Sequence, residues 1–137
     1  MVRRFSISLD GEILDSFERF RARHKYANRS EAVRDLIRTA LVGEEWERGS
    51  GDVMGVISLV YDHHQRNLLS RITSIQHDAE AHVVSTTHVH MDHHNCLEII
   101  IARGKAHNVR ALADALFTLR GVKNGALNTA STGRSLH

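Results

Sequence analysis

The 137-residue chain has no proline, a single cysteine and no apolar run long enough to span a bilayer. Without proline, helix stops must rely on glycine. One cysteine forms no internal disulfide, in keeping with a reducing compartment, and leaves the thiol free for metal or redox chemistry. The N-terminus carries Arg3 and Arg4 but then alternates apolar with polar residues, lacking the continuous apolar core of a secretory signal. A cytoplasmic location is the expectation. Excess charge is missing too: 18 Lys and Arg against 16 Asp and Glu leave a formal +2. That is too little for nonspecific nucleic-acid binding, so any DNA contact must come from a few well-placed residues. With 42% hydrophobic and 25% charged residues, the composition is that of a soluble globular protein.

What the chain does have is histidine, unevenly spread. Ten of its eleven histidines lie after residue 50. The segment Gly49-Ser50-Gly51-Asp52 has the polar, flexible make-up of a connection between packed units. The expected domains are 1–48 and 53–130.

The first reads as strand, helix, helix. Phe5, Ile7 and Leu9 alternate with Arg4, Ser6 and Ser8, the period of a strand with one buried and one polar face. Ile13, Leu14, Phe17 and Phe20 recur at helical spacing. A second helix is announced by Asn28 as N-cap with Glu31 three positions on, and carries the stripe Val33, Leu36, Ile37, Ala40, Leu41. One strand and two helices in roughly 45 residues are too few to bury these stripes alone, so this half is expected to dimerise through its strand. A two-stranded ribbon fits the major groove, presenting Arg4, Ser6 and Ser8 twice over. The free N–H groups at the start of the second helix, with Asn28, Arg29, Ser30 and Arg34, suit a phosphate. The plainer reading is a solvated edge strand and a charged helix surface.

The second half reads β-α-β-β-α-β: a strand over 53–61, a helix marked by Leu68, Leu69, Ile72 and Ile75, and strands over 82–91 and 96–102. A helix built on Val109, Leu112, Ala113, Leu116, Phe117 and Leu119 follows, ended by Gly121, before a last strand over about 122–128. This order is the ferredoxin-like arrangement, an α+β fold with both helices on one sheet face. Leu97, Ile99 and Ile101 on one side of their strand, with Ile100 on the other, imply burial of both faces. The helix-free face is therefore expected to pack on another subunit, giving at least a tetramer.

His88 and His90 project from one strand face about 7 Å apart, and Cys96 opens the returning strand. Two imidazoles and a thiolate suit nickel, copper or zinc and are poor for magnesium or calcium. A fourth ligand must come from elsewhere, with His77, His82, His63, His64, His93 and His94 as candidates. Six histidines between His77 and His94 are hard to explain as a solvated loop. Glu98 shares the face of Cys96, placed to accept the second N–H of an imidazole, or else to act as a plain surface charge.

The combination R-F-S-I-S-L, N-R-S-E-A-V-R-D-L-I-R, Q-H and H-V-H-M-D-H-H-N-C-L-E resembles the nickel-responsive transcriptional repressors over about residues 3–127. The resemblance implies a homotetramer, a dimer of dimers, in which ribbon-helix-helix DNA-binding dimers flank four regulatory domains of the ACT type. It implies one square-planar Ni(2+) per subunit, held by His88, His90 and Cys96 of one chain and His77 of a neighbour. It implies a palindromic double-stranded operator, repression of nickel-uptake genes when nickel is replete, and a second cation site drawing on Glu31 and Asp35. Ser6 and Ser8 stand where threonine is frequent in the family, which alters contacts to thymine methyls. Asn124 stands where histidine is frequent.

Other readings are a sensor of copper or zinc, a metal-dependent enzyme and an antitoxin. His88, His90 and Glu98 resemble the ligands of cupin-type oxygenases, but that fold needs more strands than this chain supplies. An antitoxin would have a peptide-like C-terminal half, whereas residues 53–128 pattern as a packed domain.

Overall fold

The computed structural model describes residues 1–137. In chain order the elements are helices α1 (Gly11–Arg23) and α2 (Arg29–Arg48), strand β1 (Asp52–Asp62), helix α3 (Leu68–Asp78), strands β2 (His82–His90) and β3 (Asn95–Lys105), helix α4 (Ala106–Phe117) and strand β4 (Val122–Ser131). Contacts divide the chain into two compact units, Met1–Thr39 and Ala40–His137, with the boundary falling inside α2. No helix is long and apolar enough to cross a membrane.

In the first unit both helices start where capping chemistry places them. The Glu12 N–H donates to Asp10 Oδ1 at 2.9 Å, and the Glu31 N–H donates to Asn28 Oδ1 at 2.9 Å. The Glu31 carboxylate does not complete a reciprocal box; it pairs with Arg34 one turn on. The stretch Arg3–Leu9, expected as a strand, has no regular secondary structure in the single chain. The reason is physical: a strand exists through its ladder, and nothing in this chain offers one to those residues. The unit buries almost nothing. Ala32 is its one buried hydrophobic residue, while Phe5 is 71% exposed, Ile7 67% and Ile13 58%.

The second unit is a four-stranded antiparallel sheet in the order β2-β3-β1-β4, with α3 and α4 packed on one face. With the chain order β-α-β-β-α-β, this is the ferredoxin-like arrangement. Alternation along β1 buries Val53, Ile57, Leu59 and Tyr61, while β3 buries Cys96, Glu98, Ile100 and Ala102 on the same face. Leu68 and Ile72 of α3 and Val109, Leu112 and Leu116 of α4 close this core. On the other face Met54, Val56, Val60, Leu97, Ile99 and Ile101 form a half-buried apolar sheet surface without a helix over it.

Helix α2 runs a full two turns beyond the apolar stripe read from sequence because Trp46 anchors its end. That indole is buried, donates its N–H to the Ala130 carbonyl at 2.9 Å, and lies under the Arg110 guanidinium at 5.4 Å. The connection after it is tied down: the Gly49 carbonyl accepts from the His107 N–H at 3.0 Å, and Gly51 accepts from Ala106 at 3.1 Å.

The turn joining β2 to β3 is organised by one carboxylate. Asp92 Oδ1 accepts from the His94 N–H (2.9 Å) and the Asn95 N–H (2.8 Å), and both its oxygens accept from the Asn95 amide. Asn95 Oδ1 in turn accepts from Lys123 Nζ at 2.7 Å. Hydrogen bonds from Asn95, first through its side chain, pull the Asp92 pKa down from 3.8 to about 2. A depressed acid stabilises the fold above its ordinary pKa and loses that contribution as pH falls through the depressed one, so this turn weakens only between about pH 4 and pH 2. An NMR titration of the Asp92 carboxyl should therefore show an apparent pKa near 2 that climbs back towards 3.8 in Asn95→Ala; an unmoved value would show that the turn is held otherwise.

The core leaves as little slack as the turn. A Cβ on Gly55 would sit 2.5 Å from Val109 Cγ1, 3.3 Å from Leu127 Cδ1 and 3.4 Å from the Trp46 ring. Gly55→Ala should cost about 1–3 kcal/mol in chemical denaturation, the usual penalty for overpacking. A neutral result would mean that α4 retreats freely from the sheet.

Candidate metal centre

Register assembles the site. Across the sheet His90 stands opposite Cys96 and Cys96 opposite Tyr61; one pair further, His88 stands opposite Glu98 and Glu98 opposite Leu59. All point to the helix-bearing face, since alternation puts every second residue there. Strand β2 is the sheet edge, so its histidines are exposed, while Cys96 one strand in is fully buried. His63 follows β1 on the same parity as Tyr61, and its N–H donates to the His94 carbonyl at 3.1 Å. A histidine thus reaches the thiol from each side: Cys96 Sγ lies 3.3 Å from His90 Nδ1 and 3.3 Å from His63 Nδ1. The three ligand atoms lie within 4.8 Å of one another.

His88 is adjacent, its ring 5.2 Å from that of His90, but its Nδ1 is 3.4 Å from the Tyr61 hydroxyl. Tyr61 donates to Glu98 Oε2 at 3.1 Å, and Gln76 Nε2 reaches Glu98 Oε1 at 3.5 Å. With its proton committed to Glu98, the Tyr61 oxygen accepts from His88 Nδ1–H, which leaves His88 Nε2 as the free lone pair. Glu98, buried, therefore takes its hydrogen bonds from Tyr61 and Gln76 and acts on the imidazole only through the phenol.

The electrostatics favour the neutral forms of the Cys96 thiol, the His63 imidazole and the Tyr61 phenol. Burial pushes the Cys96 thiol up, and the carboxylates of Asp92, Glu98 and Asp62 add to the effect. Burial pulls His63 down, helped by the nearby His64 and His90. Tyr61 is driven far above its ordinary value by burial and then by Glu98. A cation entering between these groups would reverse the thiol's preference by favouring the thiolate. The donor set therefore fits a borderline-soft divalent ion better than a hard one.

The other expected ligands lie outside this cluster within one chain. His77 is exposed in the last turn of α3, beside a shallow depression lined by Gln76, Ala81, His82 and Val83. His64, His93 and His94 form an exposed patch with rings 4.9–5.4 Å apart, His64 Nε2 resting 3.1 Å from the His93 carbonyl. Sequence reasoning had His63 only as one of six interchangeable candidates and did not single out Tyr61. Both follow from extending the parity of Ile57 and Leu59 along β1 to its end.

Among the expected nucleic-acid contacts, Arg4, Ser6, Ser8, Asn28, Ser30 and Arg34 are exposed in the first unit. Arg29 pairs with Glu18 at 2.5 Å. Of the two carboxylates expected at an accessory cation site, Glu31 pairs with Arg34 and Asp35 accepts from the Tyr26 hydroxyl.

Comparison with known proteins matches residues 54–130 to the NikR C terminal nickel binding domain and residues 3–43 to the copG family of ribbon-helix-helix proteins. A nickel-responsive regulator of Desulfotalea psychrophila is 57% identical over 100% of both chains. One of Geobacter sp. strain M21 is 48% identical over 98% of this chain and 96% of its own, and one of Nitratidesulfovibrio vulgaris 46% over 97% and 96%. An ACT domain from the GTP pyrophosphokinase of Chlorobium tepidum superposes at a TM-score of 0.49 with 15% identity, over 57% of this chain and 100% of that one. The two family matches stand in the expected order, ribbon-helix-helix first and ferredoxin-like domain second, and the relatives are regulators rather than enzymes. With both halves matched and full-length identity this high, the chain belongs to the nickel-responsive regulator family.

Proposed function

We propose that this chain is a cytoplasmic, nickel-gated DNA-binding repressor that silences nickel-uptake genes when the metal is replete. The observation that carries the reading is the convergence of His90 and Cys96, with His88 beside them, on the helix-bearing sheet face of a family member. One Ni(2+) per chain would be held by His88, His90 and Cys96, with His77 arriving from a neighbouring chain to complete a planar set. The free Nε2 of His88 and the exposure of His77 at a helix end suit these roles. Bound there, nickel would tie donors of two chains together, and the protein's part would be to present those donors deprotonated and aligned.

The assembly we propose is a homotetramer, a dimer of dimers. The apolar sheet face carrying Val56, Val60, Ile99 and Ile101 is one surface for it. The other is the proposed DNA-binding domain, residues 1–48, whose first unit has almost no core. Its exposed Phe5, Ile7, Ile13, Leu36 and Ile37 become buried when two copies pair their N-terminal segments as an antiparallel ribbon. Arg4, Ser6 and Ser8 then face the major groove of a palindromic operator. Asn28, Arg29, Ser30 and Arg34 sit against phosphates, Arg29 and Arg34 exchanging their carboxylate partners for the backbone. Release of Glu31 from Arg34 and of Asp35 from Tyr26 would free both carboxylates, four residues apart on α2, for an accessory cation.

Cys96→Ala should lower nickel affinity, measured by chelator competition, by about 100-fold or more, while the far-UV circular dichroism stays that of the wild type. Unchanged affinity would sink the ligand assignment.

Arg4→Ala should weaken binding to a selected palindromic duplex by about tenfold or more and spare nickel binding. Fluorescence anisotropy with and without one equivalent of nickel reads this directly. Retained sequence preference would remove the N-terminal segment from base readout.

A further inference from the structure

The segment Gly49-Ser50-Gly51-Asp52 reads in sequence as a flexible connection, yet the structure ties it down at almost every step. We propose that residues 42–52 are a stiff part of the second unit, latched there by Trp46, and that this latch carries the arrangement of that unit into the DNA-binding helix α2. The latch stands on contacts within the second unit alone. Its part in coupling rests on the nickel-gated reading above.

The last two turns of α2 belong to the core of Ala40–His137. Trp46 is buried, its N–H donates to the Ala130 carbonyl of β4 at 2.9 Å, and the Arg110 guanidinium of α4 lies over its ring at 5.4 Å. Val42, one turn earlier on the same helix face, packs against that core as well. Ser135 Oγ donates to Glu45 Oε1 at 3.1 Å, so the C-terminal segment is tied to the same turns. The two glycines serve structure rather than slack. Gly49 has φ +72°, the left-handed conformation that stops a helix. Helix α4 starts at Ala106 with no side-chain cap, and its first N–H groups need acceptors. The Gly51 carbonyl takes the Ala106 N–H at 3.1 Å and the Gly49 carbonyl takes the His107 N–H at 3.0 Å, so the connection itself caps α4. Asp52 then accepts from Arg103 Nη2 of β3 at 2.8 Å.

A segment held on α4, β3 and β4 has no slack to absorb a change in the second unit. Any rearrangement between the two units must then be made upstream of Val42, inside α2, and a helix kinks there only at the expense of its own hydrogen bonds. A loose Gly/Ser tether would dissipate what a metal fixes in the second unit, whereas a continuous helix rooted by Trp46 passes it on.

Trp46 is the only tryptophan in the chain, so its fluorescence reports the latch directly. In the full-length, metal-free protein, acrylamide should quench it far less than it quenches N-acetyltryptophanamide. Hydrogen–deuterium exchange should find the amides of residues 44–52 protected in the wild type and faster by about tenfold or more in Trp46→Ala, with α3 and β3 unchanged. Nickel affinity of Trp46→Ala should stay within about twofold of wild type, while the ratio of affinities for a selected palindromic duplex with and without nickel chloride falls about tenfold or more. Trp46→Phe keeps a ring in the core and loses the N–H, so it should lie between the two in both readouts, and it serves in place of Trp46→Ala where that variant does not fold. A Trp46 quenched like N-acetyltryptophanamide, or wild-type amides of residues 44–52 that exchange as fast as those of Trp46→Ala, would overturn the latch. An unchanged affinity ratio in a Trp46→Ala protein whose residues 44–52 are released would overturn its part in coupling. A wild type with residues 44–52 protected but no nickel dependence of duplex binding would instead overturn the nickel-gated reading and leave the latch standing.

Discussion

The period of two along an antiparallel strand is the constraint on which the rest depends. It sets His88, His90, Cys96, Glu98 and Tyr61 on one sheet face, and the pairing of β2 with β3 brings the histidines level with the thiol. A slip of one residue in β2 would send both of its histidines to the other face. The register is held at the turn, where Asp92 gathers two backbone N–H groups and the Asn95 amide, and Lys123 of β4 holds Asn95 in turn. The site is thus a property of the hairpin, and the helices behind it supply burial and the Gln76 contact to Glu98.

Burial then decides the chemistry. Cys96 lies one strand in from the edge, fully buried on the helix-bearing face, and there the charged thiolate is disfavoured. His63 is biased towards the neutral imidazole for the same reason. A divalent cation is the partner that makes the ionised thiol favourable. His88 and His90 sit on the edge strand, where an ion meets exposed imidazoles before it meets the buried sulfur.

Much of this architecture was legible in sequence because it is written in local periods. The 3.6-residue stripes of α3 and α4, the alternation in β1 and β3, and the Asn28 cap all reappear where their patterns stood. The placement of His88 and His90 on one face with Cys96 followed from the same alternation. What was not legible depends on side chains far apart in the chain. The last two turns of α2 are held by Trp46 bonding to Ala130, a contact across 84 positions that no window of sequence contains. The approach of His63 to Cys96 required knowing that β1 and β3 are neighbours, since the two lie 33 residues apart. The N-terminal strand is the converse case: its alternation is plain in the sequence, yet a ladder needs a second strand and this chain has none to give.

That missing ladder and the missing ligand have a common form. Under the proposed tetramer, another copy would cover the first unit, whose only buried hydrophobic residue is Ala32, and would bring His77 to a donor cluster it does not reach within the chain. If the same assembly completes both, metal binding and ribbon formation are linked through quaternary arrangement, and linkage is reciprocal: DNA that selects the arrangement also raises the affinity for the metal. A coupling of about 1–3 kcal/mol, the usual range, changes occupancy by 5- to 150-fold, enough for a gene switch without any change in the fold of either domain. Such coupling would require the metal to draw a donor from another chain, the role proposed for His77.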